Sequence, residues 1–374
     1  MRAVRLVGAM GTCFWSLTLS ACFGSSSAGA PGSGASLDSG TGADTSAAHA
    51  APESGTGSSV DASAGDAAAG GGSNVATMFV PDDMAGVVYR YTVTPTADPI
   101  FSTSISVPSA VSVALSSTGE LFVTSFAGET IYRFLSPFGT PTANGTITGI
   151  GLSTPSEGSA FVDDELWIAN FGASDLVRVA FSAQGSASLA GTVNNVAECE
   201  GVYWDATSRI LYVSQAYSTG INVQQYLVAP DHSVTQLTPI MAPNPYGSVV
   251  TPWGELFVAN PVGQSLSRFS VDAQGNATAN GTITGNGFNY PVSLSFAPWG
   301  ELFVGNQGTG AVSRFTFDSS HNAVPNGTFQ TMSGAAPNGA GNGSRLDWIA
   351  VYPGSSGTEG GVTDSGVAAD AVSE

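Results

Sequence analysis

The sequence predicts an all-β fold, a six-bladed β-propeller of four-stranded antiparallel blades, on three observations. The first is a repeat. An apolar triplet, a polar residue and a Gly-rich turn, then an Arg (in one copy Gln) followed by an aromatic or apolar residue, recur six times between residues 76 and 353. The triplets start at Met78, Leu121, Leu166, Leu211, Leu256 and Leu302, spaced 43 to 46 residues apart, and short strands repeating about every 45 residues are the signature of propeller blades. The second is that the ends of the region complement each other. It begins with a triplet that has no strand before it and finishes with Leu346 to Tyr352, a strand with no triplet after it. Joining them completes blade 1 and leaves no open edge to cap. The third is composition: 48 Gly, 20 Pro and 10% charged residues, with no stretch that sustains the three-and-four apolar spacing of a helix.

Each blade divides alike. A short segment before the triplet, such as Ser109 to Leu115 or Val292 to Phe296, is the innermost strand A; the triplet is strand B; the Arg segment is strand C. Strand D follows in phrases such as Asn144-Gly145-Thr146 and Asn280-Gly281-Thr282. Within the B–C hairpins, Glu120 and Arg133, Glu165 and Arg178, Glu255 and Arg268, and Glu301 and Arg314 share a spacing of 13 residues. That spacing predicts structural cross-strand ion pairs between direct neighbours. Blade 4 carries Ile210 and Gln225 at these places, losing both charges together. The column Asp82, Ser125, Asn170, Gln215, Asn260 and Asn306 follows the triplets and reads as turn-starters whose side chains satisfy backbone N–H groups two residues on.

Outside the repeats the chain changes character. Arg2 and Arg5, the apolar run from Leu6 to Leu19 and small residues before a cysteine predict a signal peptide over residues 1–21. Leu19-Ser20-Ala21-Cys22 resembles the lipobox of bacterial lipoproteins, which implies a lipidated Cys22 and a membrane partner through the anchor. Phe23 rather than Asp after the cysteine implies sorting to the outer membrane of the cell envelope. Residues 22–75 form a Gly/Ser/Ala-rich tether that cannot bury a core and that spans roughly 40 Å as a flexible coil. Residues 354–374 form a similar acidic tail, which leaves 76–353 as the folded domain.

Charge narrows the partners. Nine cations, all Arg, stand against 28 acids, for a net charge of −19. No window offers the basic patch that phosphate binding needs, so no nucleic-acid partner is expected. Cys13 leaves with the signal peptide, Cys22 is the lipid site and Cys199 stands alone as a packed residue, so no intrachain disulfide is expected. With a lipobox of bacterial type, N-glycosylation is not expected from the Asn-X-Ser/Thr sequons at Asn144, Asn276, Asn280, Asn326 and Asn342.

Gly254-Glu255-Leu256-Phe257-Val258-Ala259-Asn260, with Gly263 and Ser267-Arg268-Phe269 after it, resembles the NHL-repeat and YncE-like β-propellers. The resemblance spans the repeat region and its motifs are structural. Aligned by counting back from the triplets, the strand A entrances read Ala110, Glu157, Glu200, Tyr246, Pro291 and Asp347. Three carboxylates on one ring, Glu157, Glu200 and Asp347, are candidate ligands for a divalent cation such as Ca or Zn in the central channel. Glu157-Gly158 and Glu200-Gly201-Val202-Tyr203-Trp204 also resemble the first metal-ligand motif of the gluconolactonase (senescence-marker-protein) family, whose members are metal-dependent lactonases or esterases. That family's later Asn-Gly and Asp-Gly phrases are replaced here by Pro245-Tyr246-Gly247 and Tyr290-Pro291-Val292. The leading reading is a noncatalytic, lipid-anchored envelope propeller that binds a protein, peptide or glycan. The alternative is a metal-dependent lactonase or esterase of gluconolactonase type. Aromatics at Phe126, Phe171, Tyr217, Trp253, Tyr290 and Trp299 are candidates for a binding face or for packing between blades.

Overall fold

The computed structural model describes residues 74–216, 222–333 and 346–354, without the side chains of residues 155–157. The signal peptide, Cys22, most of the tether and the acidic tail lie outside the described residues. The strands run β1 (Ala76–Asp82), β2 (Val87–Thr94) and β3 (Ala97–Ser106) in blade 1, then β4 (Ala110–Leu115), β5 (Leu121–Ser125), β6 (Thr130–Leu135) and β7 (Thr142–Ile147) in blade 2. Blade 3 holds β8 (Pro155–Val162), β9 (Glu165–Asn170), β10 (Asp175–Phe181) and β11 (Ala187–Asn194). Blade 4 holds β12 (Cys199–Asp205), β13 (Ile210–Gln215), β14 (Asn222–Val228) and β15 (Val234–Gln236), and a two-residue β16 (Ile240–Met241) also pairs with β14. Blade 5 holds β17 (Ser248–Val250), β18 (Glu255–Asn260), β19 (Ser265–Val271) and β20 (Ala277–Thr284); blade 6 holds β21 (Pro291–Phe296), β22 (Leu302–Asn306), β23 (Ala311–Phe317) and β24 (Ala323–Gln330).

The last strand, β25 (Ala350–Pro353), pairs antiparallel with β1, so blade 1 is built from both ends of the domain. Strand A of each blade contacts strand A of the next, or β1 beside it, all the way round, and the ring is closed. Among the described residues the only helical turn is Phe171–Ala173. The central residues of the six triplets, Phe79, Phe122, Trp167, Tyr212, Phe257 and Phe303, are all 2% exposed or less. Each triplet therefore supplies a large ring to the seam between blades, which is why the pattern recurs so strictly.

The Glu–Arg pairs sit on these seams. Arg133 Nε lies 2.8 Å from Glu120, Arg178 Nε 2.8 Å from Glu165, Arg268 Nη2 2.6 Å from Glu255 and Arg314 Nε 2.7 Å from Glu301. Register adds a correction. Each Arg stands opposite the central residue of its triplet, as Arg133 does opposite Phe122, so the carboxylate two residues earlier is reached along the diagonal and not straight across. The guanidinium thereby covers the aromatic ring, 4.9 Å from its centroid at Trp167 and 5.4 Å at Phe122, Phe257 and Phe303. In blades 2, 5 and 6 the C–D ladder shifts register at the Arg, which faces an Asn-Gly pair. Gly145, Gly281 and Gly327 hold φ of 87°, 94° and 86° there, a conformation suited to glycine in a bulge. The bulge turns Asn144 and Asn326 so that each donates to its Glu carboxylate at 2.7 Å, and Asn280 likewise donates to Glu255.

The same column ties each blade to the C–D turn of the next. Arg90 donates to Pro137 O and Gly139 O, Arg133 to Gly185 O, Gln225 to Gly275 O, and Arg314 to Thr94 O and Ala97 O across the closing seam. Between blades 3 and 4 the tie is His232 Nδ1, 3.3 Å from Glu165 Oε1; between blades 5 and 6 it is Trp253 stacked on His321 at 4.5 Å and 7°.

The turn-starter column behaves differently from the sequence expectation. Asp82 and Asn260 accept a backbone N–H three residues on, from Ala85 and Gly263. Ser125, Asn170, Gln215 and Asn306 instead bind Pro108 O, Ser153 N, Ala197 O and Asn289 N, in the loops leading into their own strand A. A longer or differently turned side chain reaches across the blade end rather than capping its own turn.

Candidate functional site

Two ends of the channel are chemically unlike. At the entrance of the A strands the ring is narrow. A Cβ on Gly158 would stand 2.3 Å from Val202 N, one on Gly201 2.5 Å from Tyr246 O, and one on Gly247 2.5 Å from Val292 O. Only glycine fits where neighbouring A strands touch, and Gly247 N uses the proximity to donate to Val292 O at 2.8 Å. The glycines of the two Glu-Gly phrases thus have a packing reason of their own. The indole of Trp348, just before the strand that closes blade 1, crosses the ring to lie against Gly201 of blade 4.

The acids of this end are buried. Glu200 is 7% exposed and Asp347 is fully buried, with Gln307 Nε2 donating to Asp347 Oδ1 at 3.2 Å and Asp347 N donating to Pro81 O. Glu157 belongs to β8, but its side chain is outside the described residues. Among the described residues no three His, Cys, Asp or Glu side chains converge as a metal site would require. Glu200 and Asp347 are two of the three candidate ligands, and the side chain of the third, Glu157, lies outside the described residues. Cys199 is buried, its thiol pushed up to about 12 chiefly by burial, and Sγ lies 3.3 Å from Asp175 O. A thiol so held is not a nucleophile at neutral pH.

Beyond Trp348 the channel widens into a cavity of about 450 Å³ lined by strand A of all six blades. Its side chains are apolar, aromatic or hydroxylic, and none is charged. A groove of about 410 Å³ lies on the same side, between the A–B turns of blades 5 and 6 and the C–D turn of blade 6, and shares Pro252 with the cavity. Trp253 and Trp299 are half-buried in it. Trp253 is fixed by Phe257, Phe296, Phe317 and His321, and Trp299 Nε1 donates to Glu301 Oε2 at 2.9 Å. Asp318 at its rim is held well below the usual carboxylate range by hydrogen bonds from the Asn322 side chain and backbone N–H groups, so it is an anionic acceptor.

The aromatics singled out in the sequence do not share one face. Trp253 and Trp299 stand in A–B turns, at the wide end. Phe126, which is 44% exposed, Phe171 and Tyr290 stand in loops at the narrow end, and Tyr290 packs edge-on to Tyr246. Tyr217 lies outside the described residues. Neither His321 nor the cavity was marked by sequence motif, since each depends on which blade ends meet.

No protein-family model matches the chain, and no curated protein matches its sequence. Solved structures do match its fold. A candidate 6-phosphogluconolactonase from Bacteroides fragilis superimposes with a TM-score of 0.58 at 11% identity, covering 75% of this chain and 98% of that one. A similar candidate 6-phosphogluconolactonase from Bacteroides uniformis gives 0.56 at 12% identity, covering 75% and 100%. The periplasmic gluconolactonase of Pseudomonas aeruginosa gives 0.54 at 14% identity, covering 70% and 84%. At such identities the likeness establishes a shared β-propeller fold and nothing of the chemistry.

Proposed function

We propose that this chain is a noncatalytic, lipid-anchored binding protein of the cell envelope that recognises a glycan on the wide-end face of the ring. The observation that carries the reading is the groove between blades 5 and 6. Two half-buried indoles are held fixed there, beside the Asp318 carboxylate. Rigid indoles offer area at little entropic cost, and a sugar ring presents a C–H face to stack on them and hydroxyl groups for an anionic acceptor. The cation nearest by, Arg314, is taken up by Glu301 and by blade 1 carbonyls, which leaves nothing to favour an acidic ligand. The lipobox-like Leu19-Ser20-Ala21-Cys22 and the tether support display at a membrane surface.

The full chain carrying Cys22→Ser is to be titrated with neutral cello-, chito- and malto-oligosaccharides while tryptophan fluorescence is followed. Saturable quenching that Trp299→Ala abolishes supports the reading. Absence of binding across the three series, or equal binding by the variant, defeats it. The three lactonase-type solved neighbours suggest the competing outcome, hydrolysis of gluconolactone dependent on added calcium or zinc and lost in Glu200→Gln. In cells, Cys22→Ser should move the protein from the membrane to the soluble fraction; retention on the membrane would refute the anchor.

A further inference from the structure

Blade 1 keeps the seam arginine of its neighbours but not the acid that holds it. In blades 2, 3, 5 and 6 the residue two before the triplet's central ring is Glu, and the guanidinium grips it through Nε and Nη2. Blade 4 has lost the Glu and the Arg together. In blade 1 Thr77 stands two residues before Phe79, yet Arg90 remains opposite that ring. Its Nη1 donates to Pro137 O at 2.7 Å and Gly139 O at 2.6 Å in blade 2. The guanidinium is thereby anchored on the next blade, as Arg133 Nη1 is anchored on Gly185 O.

Nε and Nη2 of Arg90 have no partner among the described residues, and neither atom is shielded from solvent. Arg133, Arg178, Arg209, Arg268 and Arg314 each pair with a carboxylate, whereas Arg90 pairs with none among the described residues. It is half-buried, and desolvation holds it below the ordinary guanidinium range. A guanidinium fixed at Nη1 and open along its Nε–Nη2 edge is half of a bidentate carboxylate site. The four sister blades show a carboxylate at that place.

Chain position selects the occupant. Thr77 stands opposite Tyr352, Ala76 opposite Pro353, and Gly354 N donates to Val75 O at 3.0 Å. The acidic tail thus leaves the ring beside Thr77. Its first acid, Glu359, comes five residues after Gly354, whereas the nearest acid of the tether, Asp66, is eight residues before Asn74. Arg90 faces Phe79, four residues from Val75 and so roughly 13 Å along the strand. Five residues reach up to roughly 17 Å, so the tail can turn back that far. One such pair is too weak to capture a free carboxylate at low concentration, but a short linker presents its own at an effective concentration on the order of millimolar.

We propose that the acidic tail folds back onto blade 1 and places the Glu359 carboxylate on Nε and Nη2 of Arg90, supplying in cis the acid that Thr77 does not. This goes beyond the glycan groove and does not rest on it. The test is NMR of the arginine Nε–H groups in the full chain carrying Cys22→Ser. The Arg90 signal is identified as the one that Arg90→Lys removes or, should that variant not fold, as the one that Thr77→Glu moves. Glu359→Gln should move this signal and speed its exchange with water severalfold, while the signals of the four Glu–Arg pairs stay in place. Thr77→Glu should fill the edge, so that Glu359→Gln added to it changes nothing further. Glu359 lies beyond the last strand, so the deciding variant leaves the ring intact. An Arg90 signal indifferent to Glu359→Gln, or one that Glu359→Gln still moves with Thr77→Glu in place, would overturn the proposal. Movement of the signal by low-millimolar acetate in the chain that keeps Glu359 would do the same, since the edge would then be open to a free carboxylate.

Discussion

The seams between blades 2 and 3 and between blades 5 and 6 lie on opposite sides of the ring and use corresponding positions differently. At the first, Arg133 is held by Glu120, covers Phe122 and Phe181, and donates to Gly185 O in the neighbouring C–D turn at 2.8 Å. At the second, Arg268 is held by Glu255 and covers Phe257, but the tie to the next blade is the stack of Trp253 on His321. Gly185 and His321 occupy the same place seven residues after the Arg, and both are left-handed, at φ 77° and 59°. The position of Trp253 in blade 5 is that of Thr118 in blade 2, three residues before the triplet. The fold therefore closes a seam without tryptophan or histidine. Rings at the second seam are a choice beyond what closure requires, which is why the groove there is the better candidate for binding.

The ionic form of the tie is most buried at the closing seam, and the largest effect is expected there. The side chains of Arg314 and Glu301 are 5% and 1% exposed. Arg314→Met removes the donors to Thr94 O and Ala97 O and leaves the Glu301 carboxylate buried without its cation. Such a loss costs about 3–5 kcal/mol, read as a drop in the urea midpoint of the full chain. A fall below about 1 kcal/mol, the value of an exposed pair, would show that the polar ties are ornamental and that the triplet rings alone hold the blades.

Trp253→Ala comes next. The residue packs on three Phe rings and His321 but is only half-buried, so about 2–3 kcal/mol is expected, below the full core value for such truncations. Thermal unfolding should fall accordingly. A loss as large as that of Arg314→Met would place the aromatic tie on a par with the buried ionic one and erase the distinction between the two seams.

These contrasts show what could be read before the fold was known. Blade number, closure and the Glu–Arg pairing were legible because a hairpin makes them local: residues 13 apart meet whatever surrounds them. Blade 4 kept the rule in altered form, with Gln225 bonding Thr238 O and Gly275 O where an Arg would otherwise stand. The diagonal geometry was not legible, since it depends on the pairing register. Nor was the need for Gly158, Gly201 and Gly247, whose close neighbours are on the following blade or across the channel. The glycine of each Glu-Gly phrase answers to contacts that no local spacing encodes.

The smallest effect is expected for His321→Gly, which makes the second seam like the first at one position. The change removes the stack on Trp253, worth about 0.5–1.5 kcal/mol for an aromatic pair. It also relieves a non-glycine residue of φ 59°, a conformation that costs about 1 kcal/mol or more outside glycine. The two nearly cancel, and the urea midpoint should move by less than about 1 kcal/mol in either direction. That near-neutrality makes the variant informative. Because the fold is unchanged, any loss of oligosaccharide quenching in His321→Gly reports on the groove itself and not on the seam. A large destabilisation would instead mean that blades 5 and 6 depend on the stack for their stability, in which case the rings need no ligand to account for them.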